Sequence, residues 1–184
     1  MKYAFLLLAA SCSLSAVHAQ WLETTITLDP GTGPCALCYN PQNNKVYCAN
    51  DYRHNVAVID GTTNEVIATL PAGANPCRLC YNPTDNKVYC TNNGVHSVTI
   101  IDGARDSVIS NVTAGDSPGA LCYNPTNNKV YSANNGSDNV TVIDGTTNKV
   151  IATVTAGSLP ADLCYNPTNN KVYCANATCQ RDRD

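Results

Sequence analysis

Three short motifs return along this chain at one fixed interval. Tyr-Asn-Pro begins at Tyr39, Tyr81, Tyr123 and Tyr165, Asn-Lys-Val-Tyr at Asn44, Asn86, Asn128 and Asn170, and Ile-Asp-Gly at Ile59, Ile101 and Ile143, each step being 42 residues. Residues 79–120 and 121–162 are identical at 25 of 42 positions without a gap, which chance does not produce. Such a chain is an array of one supersecondary unit, each copy burying its apolar faces against its neighbours.

Each unit reads as four short β-strands. In the third copy, Leu121 to Tyr123 is strand A, Pro125 to Asn128 a turn, and Lys129 to Ala133 strand B. Asn134 to Asp138 is a loop, Asn139 to Ile143 strand C, Asp144 to Asn148 a turn, and Lys149 to Thr155 strand D. The strands are rich in β-branched residues and Tyr, and the punctuation is Asn, Asp, Gly and Pro. No segment carries the helical period. Four antiparallel strands in 42 residues is the size of one propeller blade. The fold class is therefore all-β.

The pattern that starts at Pro118 and restarts at Pro160, with Leu-Cys-Tyr-Asn-Pro-Thr-Asn-Asn-Lys-Val-Tyr and then Asn-Val-Thr-Val-Ile-Asp-Gly in the complete copy, resembles the YVTN-type β-propeller repeat. That repeat belongs to bacterial and archaeal surface-layer and periplasmic propellers, and the resemblance covers essentially all of residues 23–176. It implies architecture more than activity, because the family's biochemical role is diffuse. The family pattern commonly has Val or Ala where this chain has Cys in strands A and B. Its members usually close with about seven blades, roughly 290 residues at this period.

Counting strands leaves the ring open. Glu23 to Leu28 aligns with strand D of a preceding blade, three full units follow, and Leu163 to Tyr165 with Lys171 to Ala175 supply strands A and B of a fourth, fifteen strands in all. The expected shape is an open arc of about 3.5 blades whose ends invite self-association. The repeat breaks off after Asn176, which reads as truncation of a longer gene; the alternative is a short protein that completes its ring with a second copy. The domain reading is residues 1–19 as signal peptide, 20–176 as propeller repeats and 177–184 as a tail outside the repeat.

The leader reading rests on Met1-Lys2, the apolar run Tyr3 to Ala10, and small residues at Val17 and Ala19, which favour cleavage before Gln20. Lipidation at Cys12 is the alternative. Either way the chain is expected to be exported: periplasmic, cell-surface or secreted. The apolar run is too short to span a bilayer, so no transmembrane segment is expected. A net charge of −3 with scattered basic residues gives no drive toward nucleic acid.

Eleven cysteines invite chemistry. Cys35-x-x-Cys38 and Cys77-x-x-Cys80 look like metal or redox pairs, but the first Cys becomes Gly119 and Ala161 in the later copies, so no zinc site is assigned. If Tyr39 pairs with Tyr47 across the A–B hairpin, Cys38 lies opposite Cys48, Cys80 opposite Cys90 and Cys164 opposite Cys174. In an oxidising compartment three disulfides are then open to it. The other reading makes these thiols small buried hydrophobes between blades. The Tyr–Tyr register also puts Tyr39, Tyr47 and Leu37 on one blade face, with Cys38, Val46 and Cys48 on the other.

His54, His96 and Asp138 occupy equivalent loops on three blades. Such loops diverge from the axis, so no metal is assigned to them. Asp60, Asp102 and Asp144 precede Gly and are read as turn-forming. Positions that differ between copies are the place to look for recognition: after the Pro that enters strand A come Cys35-Ala36, Cys77-Arg78, Gly119-Ala120 and Ala161-Asp162. By fold analogy Arg78 and Asp162 stand at the mouth of the central channel, with His54, His96 and Asp138 further out. The expected function is a binding or cell-surface structural module for an unknown ligand or surface protein, with no catalytic residues and no cofactor. The alternatives are a fragment of a lactonase-like or quinoprotein dehydrogenase-like propeller enzyme, or a gene fragment with no function of its own.

Overall fold

The computed structural model describes residues 4–5 and 24–177. Three four-stranded antiparallel sheets follow one another as blades. Blade 1 holds β3 (Pro34–Asn40), β4 (Lys45–Asn50), β5 (Asn55–Asp60) and β6 (Val66–Pro71). Blade 2 holds β7 (Pro76–Asn82), β8 (Lys87–Asn92), β9 (Ser97–Asp102) and β10 (Ser107–Thr113). Blade 3 holds β11 (Pro118–Asn124), β12 (Lys129–Asn134), β13 (Asn139–Asp144) and β14 (Val150–Thr155). A half-blade of β15 (Pro160–Asn166) and β16 (Lys171–Asn176) ends the series.

Ahead of blade 1, β2 (Thr25–Ile26) pairs with β1 (Ala4–Phe5), through Ala4↔Ile26 and Phe5↔Thr25. Of residues 23–28, read as strand D of a preceding blade, Thr25–Ile26 is a strand. β1 is an added strand inside the segment read as a leader. Apart from two 3₁₀ turns, Asp51–Arg53 and Asn93–Val95, no helix occurs among the described residues. The half-blade and β2 sit in separate sheets, so the described arc does not close.

The turns explain the composition. Every complete repeat bends four times, and each bend ends on a residue with positive φ: Asn44, His54, Asn64 and Asn75 in the first copy, at 52°, 53°, 61° and 55°. Asn, Asp and His tolerate this left-handed conformation better than other side chains do. Leu159 holds the same place with φ 54°, a strained choice for a bulky residue. The Asn of Tyr-Asn-Pro starts the A–B turn, Asn40 Oδ1 accepting from Gln42 N at 3.0 Å, and its Nδ2 donates to Asn86 Oδ1 of the next blade at 2.7 Å. Ile-Asp-Gly needs glycine for contact: a Cβ on Gly61 would lie 2.7 Å from the Asn44 carbonyl oxygen. Asp60, Asp102 and Asp144 each accept backbone N–H groups of their own turn, as expected.

The strand register corrects the sequence reading. The A–B connection has four residues between Asn40 and Lys45, one fewer than Tyr–Tyr pairing needs. Tyr39 therefore faces Val46, Cys38 faces Tyr47, and Leu37 faces Cys48. The later copies repeat this, Cys80 facing Tyr89 and Cys164 facing Tyr173. Directly opposed residues share a face, so a one-residue slip sends every partner to the other side. Tyr39 and Tyr47 lie on opposite faces. So do Cys38 and Cys48, Cys80 and Cys90, and Cys164 and Cys174, which removes the geometry for all three disulfides. The described cysteines are free thiols, and Cys48, Cys90 and Cys122 are buried as small core residues. Cys12 and Cys179 lie outside the described residues.

The same register organises the core. The Tyr47 face of blade 1, with Ala49, Val56 and Val58, packs against Val88, Cys90, Leu79 and Tyr81 of blade 2. The Tyr89 face of blade 2 packs in the same way against Val130, Leu121 and Tyr123 of blade 3. Ala133 and Val140 of blade 3 meet Leu163 of the half-blade, with Tyr131, Tyr165 and Val172 beside them. The middle strands are covered on both sides, which is why β4 and β8 are apolar at consecutive positions rather than at alternate ones.

A candidate site at the channel mouth

The loops that enter strand A and the loops between B and C share one face of the arc. Asn93 N donates to Asn75 O at 2.9 Å and Gly94 N to Ala74 O at 3.0 Å; Asn135 N and Gly136 N repeat these bonds to Ser117 O and Asp116 O. Strand A carries a bulge just after its entering Pro, with pairing shifting between Pro34 and Ala36, Pro76 and Arg78, Pro118 and Ala120, and Pro160 and Asp162. A bulge frees one residue from the ladder and re-aims the next. The freed residues are Cys35, Cys77, Gly119 and Ala161.

An open cleft of about 360 Å³ forms there, lined by Asp51, Asn75, Cys77, Arg78, Asn93 and Gly119. Asp51 Oδ1 accepts from Asn75 Nδ2 at 2.9 Å. Arg78 Nη1 donates to the Cys77 carbonyl at 2.8 Å, and the guanidinium makes no ion pair among the described residues. The Cys35 thiol donates to Pro76 O at 3.0 Å, and Cys77 reaches Pro118 O at 3.5 Å, so the first cysteine of each pair bridges to the next blade. Burial, then the Asp51 carboxylate and Cys77, push the Cys35 thiol above its ordinary range. It is held as a thiol, not as the thiolate that attacks or ligates. The cleft thus offers one cation, one carboxylate, two amides and the Cys77 thiol.

Of the residues expected at the mouth, Arg78 lines the cleft. Asp162 is exposed on β15, with Oδ1 accepting from Leu163 N at 2.9 Å, and does not line it. His54, His96 and Asp138 hold the linkers between blades. His54 Nδ1 accepts from Asn75 N at 3.2 Å, His96 Nδ1 from Ser117 N at 3.1 Å, and Asp138 Oδ1 from Leu159 N at 2.8 Å. Two side-chain types do one job at one repeat position. Replacing His54 with Asp is expected to leave stability within about 0.5 kcal/mol, whereas Ala is expected to cost about 1–2 kcal/mol, through the orphaned N–H and a left-handed alanine. Urea midpoints of the two variants check this. Asp51, Asn75 and Asn93 were not legible as mouth residues, because Asn and Asp are also what the turns demand.

Among the described residues no group of three or more His, Cys, Asp or Glu side chains could hold a metal ion. No helix among them is long and apolar enough to cross a membrane.

Several solved structures share this architecture. A chain of Kuenenia stuttgartiensis hydrazine synthase superposes with a TM-score of 0.76 at 20% identity, covering 87% of this chain and 46% of that one. A functionally unknown protein from Desulfotomaculum acetoxidans gives 0.67 at 15% identity, covering 79% and 49%. Virginiamycin B lyase from Staphylococcus aureus gives 0.68 at 14% identity, covering 80% and 50%. The chain thus spans about half the length of these structures, and at such identity the likeness is one of fold. No curated protein sequence matches it. The YNCE-like beta-propeller family model matches residues 3–181, in agreement with the YVTN-type repeat pattern. With its four-stranded blades recurring every 42 residues and that match running along nearly its whole length, the chain belongs to the YNCE-like β-propeller family.

Proposed function

We infer that this is an exported, non-catalytic propeller protein that binds a small polar ligand at the channel mouth. The observation that carries this reading is the cleft of Asp51, Asn75, Arg78 and Asn93. It lies where the repeats differ, since the position of Arg78 is Ala36, Ala120 and Asp162 in the other copies. The Arg78 guanidinium suits an anionic group, and the Asp51 carboxylate suits a donor on the same molecule. A small zwitterion such as an amino acid or dipeptide has both. Export rests on the leader residues, and a cell-surface structural role rests on the repeat family.

The protein, expressed with its own leader and purified, is titrated with a panel of amino acids and dipeptides and followed by calorimetry. At least one member is expected to bind, and Arg78→Ala and Asp51→Asn are each expected to weaken it about tenfold or more. A panel without binders, or binding unaffected by Arg78→Ala, would overturn the reading. The mature mass is expected to lack residues 1–19; retention of the leader sinks export. The rival reading, part of a propeller enzyme, is tested on the same sample by metal analysis and a quinone absorbance scan.

A further inference from the structure

Asn75 is the residue through which three parts of the channel mouth hold one another. Its Nδ2 donates to Asp51 Oδ1 at 2.9 Å, its carbonyl accepts from Asn93 N at 2.9 Å, and its own N–H donates to His54 Nδ1 at 3.2 Å. Asp51, Asn75 and Asn93 line the cleft, and His54 does not. Asn75 has φ 55° and His54 φ 53°, so both ends of their bond sit in the left-handed region. A residue stays in that sparsely populated conformation only where its surroundings hold it there.

The bond fixes the protonation state of His54. Nδ1 accepts, so the ring proton lies on Nε2 and the imidazole is neutral. A further proton goes to Nδ1 and turns that acceptor into a donor, facing the Asn75 N–H. Imidazole is the side chain that gains such a proton between about pH 8 and about pH 5. The closed mouth thus binds one proton fewer than the opened one, so it is favoured at high pH and lost as pH falls.

The equivalent linkers differ in this respect. In the third, Asp138 Oδ1 accepts from Leu159 N at 2.8 Å, and a carboxylate keeps its charge across that range. In the second, His96 Nδ1 accepts from Ser117 N at 3.1 Å, but Asp116 Oδ1 lies 3.9 Å from the same Nδ1 and favours the imidazolium in place. Ala74 stands where Asp116 does, so His54 has no such carboxylate beside it. The charged groups around His54 are Asp51 and Arg53 of its own 3₁₀ turn, Asp29 next to Pro30, and Arg78 of the cleft; the linker from Ala72 to Asn75 brings none. Asp51 is engaged by Asn75, and Arg53 Nη2 donates to Pro30 O at 3.1 Å. No ion pair to His54 occurs among the described residues.

We propose that His54 is a pH-sensitive latch on the channel mouth. Neutral, it holds Asn75, and through it Asp51 and Asn93, in the arrangement that forms the cleft. Protonated, it releases Asn75 and the three part. The effect on ligand affinity rests on the cleft being the binding site; the release of Asn75 does not.

Amide and imidazole resonances of the ¹⁵N-labelled protein, followed from about pH 8 to about pH 5, test the latch without any ligand. The Asn75 amide is expected to shift together with the His54 ring, and its protection from hydrogen exchange to fall about tenfold. The Leu159 N–H, held by Asp138, is expected to keep its protection. His54→Asp is expected to abolish the Asn75 transition. An Asn75 amide that ignores the His54 titration, one that still titrates in His54→Asp, or an equal loss at Leu159 would overturn the proposal. Calorimetry separates it from the reading of the cleft. The amino acid or dipeptide bound at about pH 8 is expected to bind about tenfold more weakly at about pH 5, and equally at both in His54→Asp. A latch that opens while no member of the panel binds at either pH supports the latch and removes the cleft reading alone.

Discussion

Truncating Tyr89 to alanine is expected to cost about 3–5 kcal/mol of stability, the range for removing a large buried side chain. Tyr89 is wholly buried between blades 2 and 3, among Val98, Ile100, Val130 and Ile143. Its removal leaves a cavity at the one surface that couples those blades. In an array held by nearest-neighbour contacts, that loss uncouples the two sides. The same truncation at Tyr173, the equivalent residue on the half-blade, is expected to cost the isolated chain under about 1 kcal/mol, because it is half-exposed there. Urea unfolding of the two variants checks the contrast. Equal costs at both sites would mean that the blades are stabilised one by one and not by their interfaces.

Raising the pH is expected to unfold the protein well before backbone chemistry intervenes. Burial pushes the Cys38 thiol up to about 11 and those of Cys48 and Cys80 up to about 12, and drives Cys90 upward too. In the unfolded chain these thiols ionise near the ordinary cysteine value of about 8.5. The native state therefore holds its protons when the unfolded state has released them. The stability they contribute is complete below about pH 8.5 and is lost as pH rises toward the native values. The slope is about 1.4 kcal/mol per pH unit for each fully buried thiol. Urea midpoints are expected to be level up to about pH 8.5 and to fall steeply through pH 10. Cys48→Ala and Cys90→Ala lower stability at neutral pH but flatten the alkaline fall. An unchanged slope in the double variant would show that the thiols are not its source.

The repeat is written in the sequence, and most of the architecture follows from it. The motif intervals place every blade boundary, and the alternation of β-branched runs with Asn, Asp and Gly places the strands, because both are local properties of the chain. The roles of Asp60, Asp102 and Asp144 were equally legible, since an Asp that caps its own turn needs no distant partner. Face assignment was not. It depends on whether four or five residues close the A–B hairpin, and that count turns on Asn44 adopting a left-handed conformation that also packs on Gly61. A single residue of register moved Tyr47 into the interface, left Tyr39 at the open end, and separated Cys38 from Cys48. The site divides along the same line. Arg78 stood out because it breaks a repeat, while Asp51, Asn75 and Asn93 were hidden among residues that every turn requires. His54, His96 and Asp138, expected on the outer part of that face, each accept a backbone N–H from a residue 21 positions further along the chain, a pairing that no local pattern announces. The sequence by itself determined the unit and its period, which local chemistry encodes. Only the tertiary structure decided which face, which loop and which partner each side chain meets, because those depend on register and on packing between copies that no single copy contains.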